Sequence, residues 1–205
     1  MIEGYIGIPG TGKTLSMTVR AYKERRYYDE IISNYGLNFG STKVLRFNEP
    51  DELLRLLTGA LENRDGKRRL LLLDEVHLLF DARMWSKVPA EFLRILAQPR
   101  KAKLDMYYTA QHESQVEKRL RTVTNWLWLC RCFGADFNPV SDSPFVFWQT
   151  CYEPFTFRLP HAKTYGSRWF RFHKKHGRLF DTMEVLDRMD LSKVGTAVSP
   201  PEAPR

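Results

Sequence analysis

The sequence contains little cysteine and no long hydrophobic run, and both absences restrict the class of protein. Three of its 205 residues are cysteines, Cys130, Cys132 and Cys151. This is too few for a disulfide-stapled miniprotein, so we expect free thiols in a reducing compartment. No uninterrupted apolar run approaches the ~18 residues of a membrane span. Met1–Gly4 has neither the basic nor the apolar region of a signal peptide. We therefore expect a soluble, cytoplasmic protein without a transmembrane segment.

Acidic residues are fewer than basic ones. The chain has 24 Asp and Glu against 32 Lys and Arg, a formal net charge of +8, and a hydrophobic fraction of 43%. The apolar content excludes a disordered chain and suffices for one domain with a small appendage. The positive charge favours a polyanionic partner, either nucleic acid or an anionic membrane surface. It is concentrated at residues 154–180, where seven Lys and Arg but no Asp or Glu occur.

Strand and helix patterns alternate along residues 1–135. The spacing predicts helices at about 13–25, from Asn48-Glu49-Pro50 onward, at 89–97 and at 114–121. It predicts strands at 2–8, 30–34, 43–47, 69–73, 104–108 and 126–130. This order implies parallel strands joined by right-handed crossovers. We therefore predict an α/β fold with a doubly wound, mostly parallel sheet.

Residues 136–190 follow a different pattern, which predicts a small β-rich appendage of the same domain. The aromatic runs Phe145–Tyr152 and Phe155–Leu159, split by Glu153-Pro154, are typical of an antiparallel ribbon. The final segment, 191–205, is rich in proline and poor in apolar residues. We expect this tail to be disordered.

Residues 7–14 match the phosphate-binding pattern G-x-x-x-x-G-K-[ST] at every fixed position and stand between a predicted strand and a predicted helix. Glycines let successive backbone N–H groups point at phosphate oxygens, and the helix N-terminus adds positive charge. We expect Lys13 to contact the β- and γ-phosphates and the Thr14 hydroxyl to bind Mg²⁺. The alternative is a glycine-rich turn that only joins the strand to the helix. The expected nucleotide-binding residues are Gly7, Pro9, Gly10, Thr11, Gly12, Lys13, Thr14 and Leu15.

An acidic pair ends the apolar strand predicted at 69–73. Asp74 and Glu75 would lie at the carboxyl edge of the sheet, beside the first loop. We expect Asp74 to hold Mg²⁺ and Glu75 to orient or deprotonate the attacking water. This favours ATP hydrolysis over a small-molecule kinase, because a kinase must exclude water. Taken alone, the pair is also compatible with a solvated acidic turn.

A polar segment, Thr109-Ala110-Gln111, follows the next predicted strand. We expect Gln111 to sense the γ-phosphate or the attacking water. The alternative is an ordinary connector with an exposed amide.

The order of these motifs resembles that of the FtsK–HerA division of P-loop ATPases, ring-forming DNA pumps that include viral packaging motors. The matching segments are 7–14, 70–75, 93–100 and 108–111. A closer likeness is to the zonula occludens toxin (Zot) domain of filamentous-phage assembly proteins, through the segments 74–80 and 177–182. The resemblance spans residues 2–185. It implies a RecA- or FtsK-like core and an ATPase that uses ATP with Mg²⁺.

The resemblance also implies a homo-oligomeric ring that translocates DNA. In such motors an arginine of one subunit reaches the neighbouring site, where it offsets charge on the transferred phosphoryl group. Arg100 is the candidate favoured by its place in the resemblance, and Arg83, Arg119 and Arg121 are the others. The expected partners are double-stranded viral DNA and a capsid or virion vertex protein.

Residues 167–176 interleave aromatic and basic side chains. In a nucleic-acid channel the cations would neutralise phosphates and the rings would stack on exposed bases. Lys101 and Lys103 could line the same pore. The alternative is an amphipathic strand with buried rings and solvated cations.

Three functions remain open. The favoured one is a viral DNA-translocating ATPase that packages a genome into a capsid, in the cytoplasm of the host cell or associated with the virion. Filamentous-phage assembly ATPases carry a transmembrane helix after this domain, and the lack of one here favours packaging over an assembly or export ATPase at a membrane. A function of another class is an ATP-binding assembly scaffold without significant turnover.

Overall fold

A single sheet organises the chain. The computed structural model describes residues 1–62, 66–79, 92, 94–95, 98–133 and 146–180. In these ranges, eight strands lie in the order β3-β2-β4-β5-β1-β6-β7-β8. The strands are β1 (Ile2–Ile6), β2 (Glu30–Ser33), β3 (Val44–Arg46), β4 (Arg69–Leu73), β5 (Leu104–Ala110), β6 (Trp126–Phe133), β7 (Val146–Tyr152) and β8 (Thr164–Arg171).

Short and medium helices connect the strands. They are α1 (Lys13–Glu24), α2 (Pro50–Glu62), α3 (Val76–Leu79), α4 (Lys118–Val123) and α5 (Lys174–Gly177), with 3₁₀ turns at Arg25–Tyr27 and Glu113–Gln115. The six strands β3-β2-β4-β5-β1-β6, in their order across the sheet, pair in parallel. Strands β6, β7 and β8 pair antiparallel. The predicted α/β fold, a mostly parallel sheet with a C-terminal antiparallel part, is confirmed.

Both faces of the parallel region are covered, which explains the uninterrupted apolar sequence of β4. Alternate side chains of a strand point to opposite faces. Leu71 and Leu73 therefore join the buried cluster that includes helix α2, while Leu70 and Leu72 join the cluster that includes helix α1. All four are fully buried. Burial of each such leucine contributes about 1.5–3 kcal/mol, so β4 is strongly stabilised within the parallel part of the sheet.

The helix predicted at 114–121 is divided in two. A 3₁₀ turn, Glu113–Gln115, is followed by α4, which begins only at Lys118. The carboxylate of Glu117 causes the second start, because it accepts hydrogen bonds from the backbone N–H groups of Arg119 and Leu120. Such a side-chain acceptor at a helix start satisfies donors that have no partner within the helix.

The prediction of a strand at Phe155–Leu159 is wrong. This segment forms consecutive turns, in which Thr156 N–H donates to the Glu153 carbonyl at 3.2 Å and Leu159 N–H to the Thr156 carbonyl at 2.8 Å. Pro154 and Pro160 at its two ends lack the N–H that a ladder requires. The third antiparallel strand is instead β8, Thr164–Arg171.

Some expectations fall outside the described residues. Of the helix predicted at 89–97, only Phe92, Arg94 and Ile95 are described, and they are helical. The tail at 191–205 and the candidate Arg83 are not described. No helix within the described ranges is long and apolar enough to cross a bilayer.

Candidate active site

The loop at residues 7–14 joins the carboxyl end of β1 to the first turn of α1. Its conformation requires glycine at two positions. Gly12, which precedes α1, has φ 74°, and an added Cβ would lie 2.3 Å from Cε1 of Phe147. A Cβ on Gly7 would lie 2.8 Å from the backbone carbonyl oxygen of Cys130. The loop is therefore held closely against β6 and β7, and larger residues do not fit there.

Inside the loop, Thr11 and Lys13 are turned inward. The Thr11 hydroxyl donates to the carbonyl of Ile8 at 2.8 Å. Lys13 is only 6% exposed; its Nζ lies 3.4 Å from the Ile8 carbonyl and 3.9 Å from Oε1 of Glu75. Of the other expected nucleotide-binding residues, Pro9 and Gly10 are exposed. The side chain of Leu15 packs in the core, so Leu15 can contribute only backbone atoms.

Strand β5 lies between β1 and β4 in the sheet, and its end brings the loop and the acidic pair together. The Asp74 carboxylate oxygen Oδ1 accepts hydrogen bonds from the hydroxyls of Thr14, at 2.7 Å, and Thr109, at 2.6 Å. Burial raises the pKa of the Asp74 carboxyl above its ordinary value, although both hydroxyls act to lower it. The three side chains form one oxygen-rich site at the carboxyl edge.

The backbone of Asp74 is fixed separately. The side-chain amide of Asn34, which follows β2, donates to the Asp74 carbonyl at 2.9 Å and accepts from the Asp74 N–H at 2.8 Å. Both backbone polar groups of Asp74 are thereby satisfied by one side chain. This leaves the carboxylate of Asp74 to face the loop.

Glu75 has a left-handed backbone, with φ 48°. Non-glycine residues pay about 1–2 kcal/mol for this conformation and adopt it most often at functional sites. Here the Glu75 N–H donates to the Thr109 hydroxyl at 2.8 Å. The strained turn places Oε1 of Glu75 toward Lys13 and Oε2 within 3.2 Å of Nδ1 of His77.

The Glu75 carboxyl is only partly solvated. Burial raises its pKa above the ordinary value, Lys13 lowers it, and the neighbouring Asp74 raises it again. Neither Oε2 of Glu75 nor Nδ1 of His77 has a hydrogen bond of good geometry within the part of the chain that the structure describes. A carboxylate with a raised pKa and an unsatisfied oxygen is suited to accept a proton.

Gln111 and Arg100 lie at opposite edges of the sheet. Ile6 is paired with Ala110, so Gln111 leaves β5 where Gly7 leaves β1, and its exposed side chain is at the same edge as the loop. Arg100 precedes β5 at the amino edge, where it lines a cavity of about 870 Å³. The structure thus brings Lys13, Asp74 and Glu75 together, with Gln111 at the same edge of the sheet, and places Arg100 at the opposite edge.

A buried polar network links the antiparallel strands to the loop helix. Arg168 of β8 donates to Gln149 Oε1 at 2.6 Å and to the Tyr5 hydroxyl at 2.7 Å, and its guanidinium lies 3.6 Å from the ring of Trp128. Gln149 in turn donates to the Ser16 hydroxyl of α1 at 2.9 Å. Arg168 is therefore engaged inside the protein and does not serve the nucleic-acid contact expected for residues 167–176.

Sequence reasoning missed three contributors, Asn34, Thr109 and Phe147. Thr109 stands in the polar segment at the end of β5, but only Gln111 was given a role. A signal for Thr109 exists, since a threonine at the end of a buried strand can turn its hydroxyl toward the neighbouring strand end. No signal identifies Phe147, whose contact with Gly12 joins residues far apart in the chain.

The fold is that of the P-loop NTPases, with the glycine-rich loop after β1 and the acidic pair after β4. The sequence model of the Zonular occludens toxin (Zot) family matches residues 5–131. This is more than half of the chain, and the chain belongs to that family. No curated protein sequence matches it.

Solved structures share the fold. The N-terminal domain of zonular occludens toxin from Neisseria meningitidis has a TM-score of 0.54 and 15% identity, covering 88% of this chain and 98% of that one. The genome-packaging NTPase B204 from Sulfolobus turreted icosahedral virus 2, in complex with ATP-gammaS, has a TM-score of 0.52 and 13% identity, covering 80% and 96%. The ATPase domain of G40P has a TM-score of 0.54 and 11% identity, covering 87% and 84%.

Proposed function

We propose that this protein hydrolyses ATP and couples hydrolysis to the movement of viral DNA. The observation that carries the proposal is the convergence of Lys13, Asp74 and Glu75 at the end of the phosphate-binding loop. A buried cation, a half-buried carboxylate suited to a metal ion and a second carboxylate with a raised pKa are groups that phosphoanhydride hydrolysis uses.

Lys13 is prepared for a phosphate. Its nearest acidic oxygen, Oε1 of Glu75, is 3.9 Å away, which is too far for a hydrogen bond. A triphosphate would offer the Lys13 ammonium stronger, charge-assisted hydrogen bonds. Binding of ATP would then separate Lys13 from Glu75 and leave the carboxylate available to water. The backbone N–H groups of the loop and the start of α1 would hold the remaining phosphate charge.

The oxygens around Asp74 fit a magnesium ion. Mg²⁺ prefers hard oxygen ligands, and the Thr14 hydroxyl and the Asp74 carboxylate lie 2.7 Å apart. These two residues would hold the ion, and Thr109 would orient the carboxylate. When bound, Mg²⁺ would supply positive charge beside the phosphates.

Glu75 is the proposed general base. It would take a proton from water as the water oxygen bonds to the γ-phosphorus, and the bond from that phosphorus to the bridging oxygen would break to release ADP. Burial of the Glu75 carboxyl supports this role because a raised pKa makes the carboxylate a stronger base. Gln111, at the same edge of the sheet, would hydrogen-bond the γ-phosphate or the attacking water.

A homo-oligomeric ring is part of the proposal. Arg100 lies at the opposite edge of the sheet from its own loop, so it could reach a phosphoryl group only in a neighbouring subunit. We propose packaging of DNA into a capsid as the favoured process, with a capsid or vertex protein as the docking partner. The packaging NTPase B204 shares the fold, which supports this choice without deciding it.

A second candidate function is an assembly or export ATPase at a membrane. Membership of the Zot family favours it, because the Zot domain occurs in filamentous-phage assembly proteins. The two candidates differ in their docking partner. Flotation of the purified protein with anionic lipid vesicles at physiological salt would support the membrane candidate, and absence of flotation would support packaging.

The first experiment measures ATP hydrolysis by the pure protein, with and without DNA, beside Lys13→Ala and Glu75→Gln. Lys13→Ala should abolish both binding and turnover. Glu75→Gln should reduce turnover at least about 100-fold while retaining ATP binding. Lys23→Ala, which removes an exposed lysine from the same helix, is the matched control and should leave turnover unchanged.

DNA-stimulated hydrolysis that is lost in both variants would support the translocating ATPase. ATP binding with flat turnover, equal in the wild type and Glu75→Gln, would contradict it and would favour the assembly scaffold.

A further inference from the structure

The antiparallel strands expose aromatic and basic side chains on one face near the carboxyl edge. In the register of the three strands, Arg131 of β6 pairs with Trp148 of β7, and Trp148 pairs with Trp169 of β8. Phe133 of β6 and Arg171 of β8 lie in the adjacent row. Residues paired in this way share one face of the sheet. We call these five residues, Arg131, Phe133, Trp148, Trp169 and Arg171, the Trp169 face.

Two of the three rings of the Trp169 face are in solvent, and the third, that of Trp148, is half-buried. Trp169 is 58% exposed and Phe133 53% exposed. Toward the amino edge the same side of the sheet is covered, because Phe157 packs edge-on against Tyr152 at a ring separation of 5.1 Å. The exposed rings of the Trp169 face thus lie on the half of the strands nearest the phosphate-binding loop. Exposed aromatic clusters of this kind mark interaction sites.

The charge of the Trp169 face is positive only. Strands β6, β7 and β8 contain no Asp or Glu, and Arg131 and Arg171 are exposed. Lys174 and Lys175, also exposed, follow β8 at the same edge. Arg168 points to the other face, where the internal network engages it. A polyanion complements this surface, whereas a second copy of the same face would bring like charges together.

Exposed rings distinguish between forms of nucleic acid. A duplex offers mainly phosphates to such a surface, and cations alone would bind it. Unpaired bases can stack on aromatic side chains, so rings between cations fit a single strand. We propose that the Trp169 face binds single-stranded nucleic acid, with bases stacked on Trp169 and Phe133 and phosphates at Arg131 and Arg171. This inference rests on the proposed function in taking DNA as the partner.

The position of β7 connects this face to the nucleotide site. Trp148 of β7 belongs to the Trp169 face. The preceding residue, Phe147, is on the opposite side of the sheet and lies against Gly12 of the loop. Phe147 stacks on Phe170 at a ring separation of 5.3 Å. A nucleic-acid strand bound to Trp148 would therefore lie one residue along β7 from Phe147, the ring that packs against Gly12 of the loop.

The test measures binding of fluorescently labelled oligo-dT and of a duplex of equal length by anisotropy, without ATP. Trp169→Ala should weaken oligo-dT binding about tenfold and leave duplex binding nearly unchanged, and Trp169→Phe should restore most of the affinity. The double variant Arg131→Ala, Arg171→Ala should weaken the binding of oligo-dT and of the duplex. For the single strand, the slope of log K against log salt concentration should become shallower by about 0.7 per lost phosphate contact. Tyr27→Ala, which removes a ring that is 53% exposed elsewhere, is the control.

Unchanged oligo-dT binding by Trp169→Ala, or equal losses for oligo-dT and duplex, would overturn the proposal. A change of sedimentation with Trp169→Ala and no change in binding would assign the face to a contact between subunits, which also overturns it. Since binding is measured without turnover, a protein that binds oligo-dT through Trp169 but fails to hydrolyse ATP would refute the proposed ATPase and leave this inference standing.

Discussion

The side-chain amide of Asn34 and the backbone of Asp74 hold one another by two hydrogen bonds, one in each direction, at 2.9 and 2.8 Å. The two residues end neighbouring parallel strands, β2 and β4. The amide therefore fixes the position of the Asp74 backbone at the sheet edge, and with it the point from which the carboxylate projects. Because that carboxylate also accepts from Thr14, the amide indirectly sets the distance between the acidic pair and the loop.

Replacement of Asn34 should destabilise the protein and slow hydrolysis. Asn34→Ala leaves the N–H and carbonyl of Asp74 without partners, which costs about 1–3 kcal/mol of unfolding free energy. Urea denaturation measures the loss, and Asn38→Ala, at an exposed site on the following loop, is the control. Equal denaturation midpoints for Asn34→Ala and the wild type would show that the two bonds do not stabilise the site.

Gly12 and Phe147 should interact strongly in a double-mutant cycle. Gly12→Ala places a Cβ both in a left-handed conformation and against the Phe147 ring, so we expect weaker nucleotide binding and lower stability. In a Phe147→Ala background the steric part disappears and only the conformational cost of about 1–2 kcal/mol should remain. Thermal unfolding of the four proteins measures the coupling. Additive effects of the two substitutions would contradict the contact.

The left-handed backbone of Glu75 should lower the stability of the folded protein. At φ 48° a glycine is favoured over an alanine by about 1 kcal/mol. We therefore expect Glu75→Gly to unfold at higher urea concentration than Glu75→Ala, although neither hydrolyses ATP. As a reference, the same pair of substitutions at exposed Glu52 in helix α2 should reverse the order, because glycine is disfavoured within helices. The opposite order at position 75 would exclude a strained backbone there.

Glu30 should make stability depend on pH at acid values. Burial alone would raise its pKa, but hydrogen bonds from Lys43, Lys67 and Arg69 prevail and hold the pKa of Glu30 at about 2, below its ordinary 4.5. A depressed pKa stabilises the fold above about pH 4.5, and the contribution is lost as pH falls toward 2.

Glu30→Gln provides the comparison. Two of the three cations are largely exposed and therefore screened, so the wild type should exceed Glu30→Gln by about 2 kcal/mol near pH 6. Denaturation at a series of pH values should show this advantage shrinking as pH falls from 4.5 to 2. An advantage that persists at pH 2 would disprove the assignment.

The parts of the site that are local in sequence were predictable. Residues 7–14 specify their own conformation through glycines and a following helix, and the acidic pair ends a strand whose apolar run identifies it. Asn34, Thr109 and Phe147 were not predictable, because their roles depend on which strands become neighbours. The sequence does not state that β5 lies between β1 and β4, which is what lets Thr109 contact both Asp74 and Glu75.

Two errors have the same physical origin. Arg168 belongs to a run whose cations were expected either to contact nucleic acid or to be solvated, yet alternation along β8 turns this arginine inward to Gln149. The aromatic run at Phe155–Leu159 has strand-like composition, but flanking prolines and local turn hydrogen bonds prevail. In both cases composition indicated the kind of residue correctly, and pairing of the backbone decided its direction.

The contact between Gly12 and Phe147 also has a consequence for biosynthesis. The loop at residues 7–14 leaves the ribosome before β7 does, and the ring that packs against Gly12 follows more than a hundred residues later. Domains generally fold as units during synthesis. A nascent chain that ends before Phe147 therefore carries all of residues 7–14 without the ring that packs against Gly12, and this contact forms only when β7 has joined the sheet.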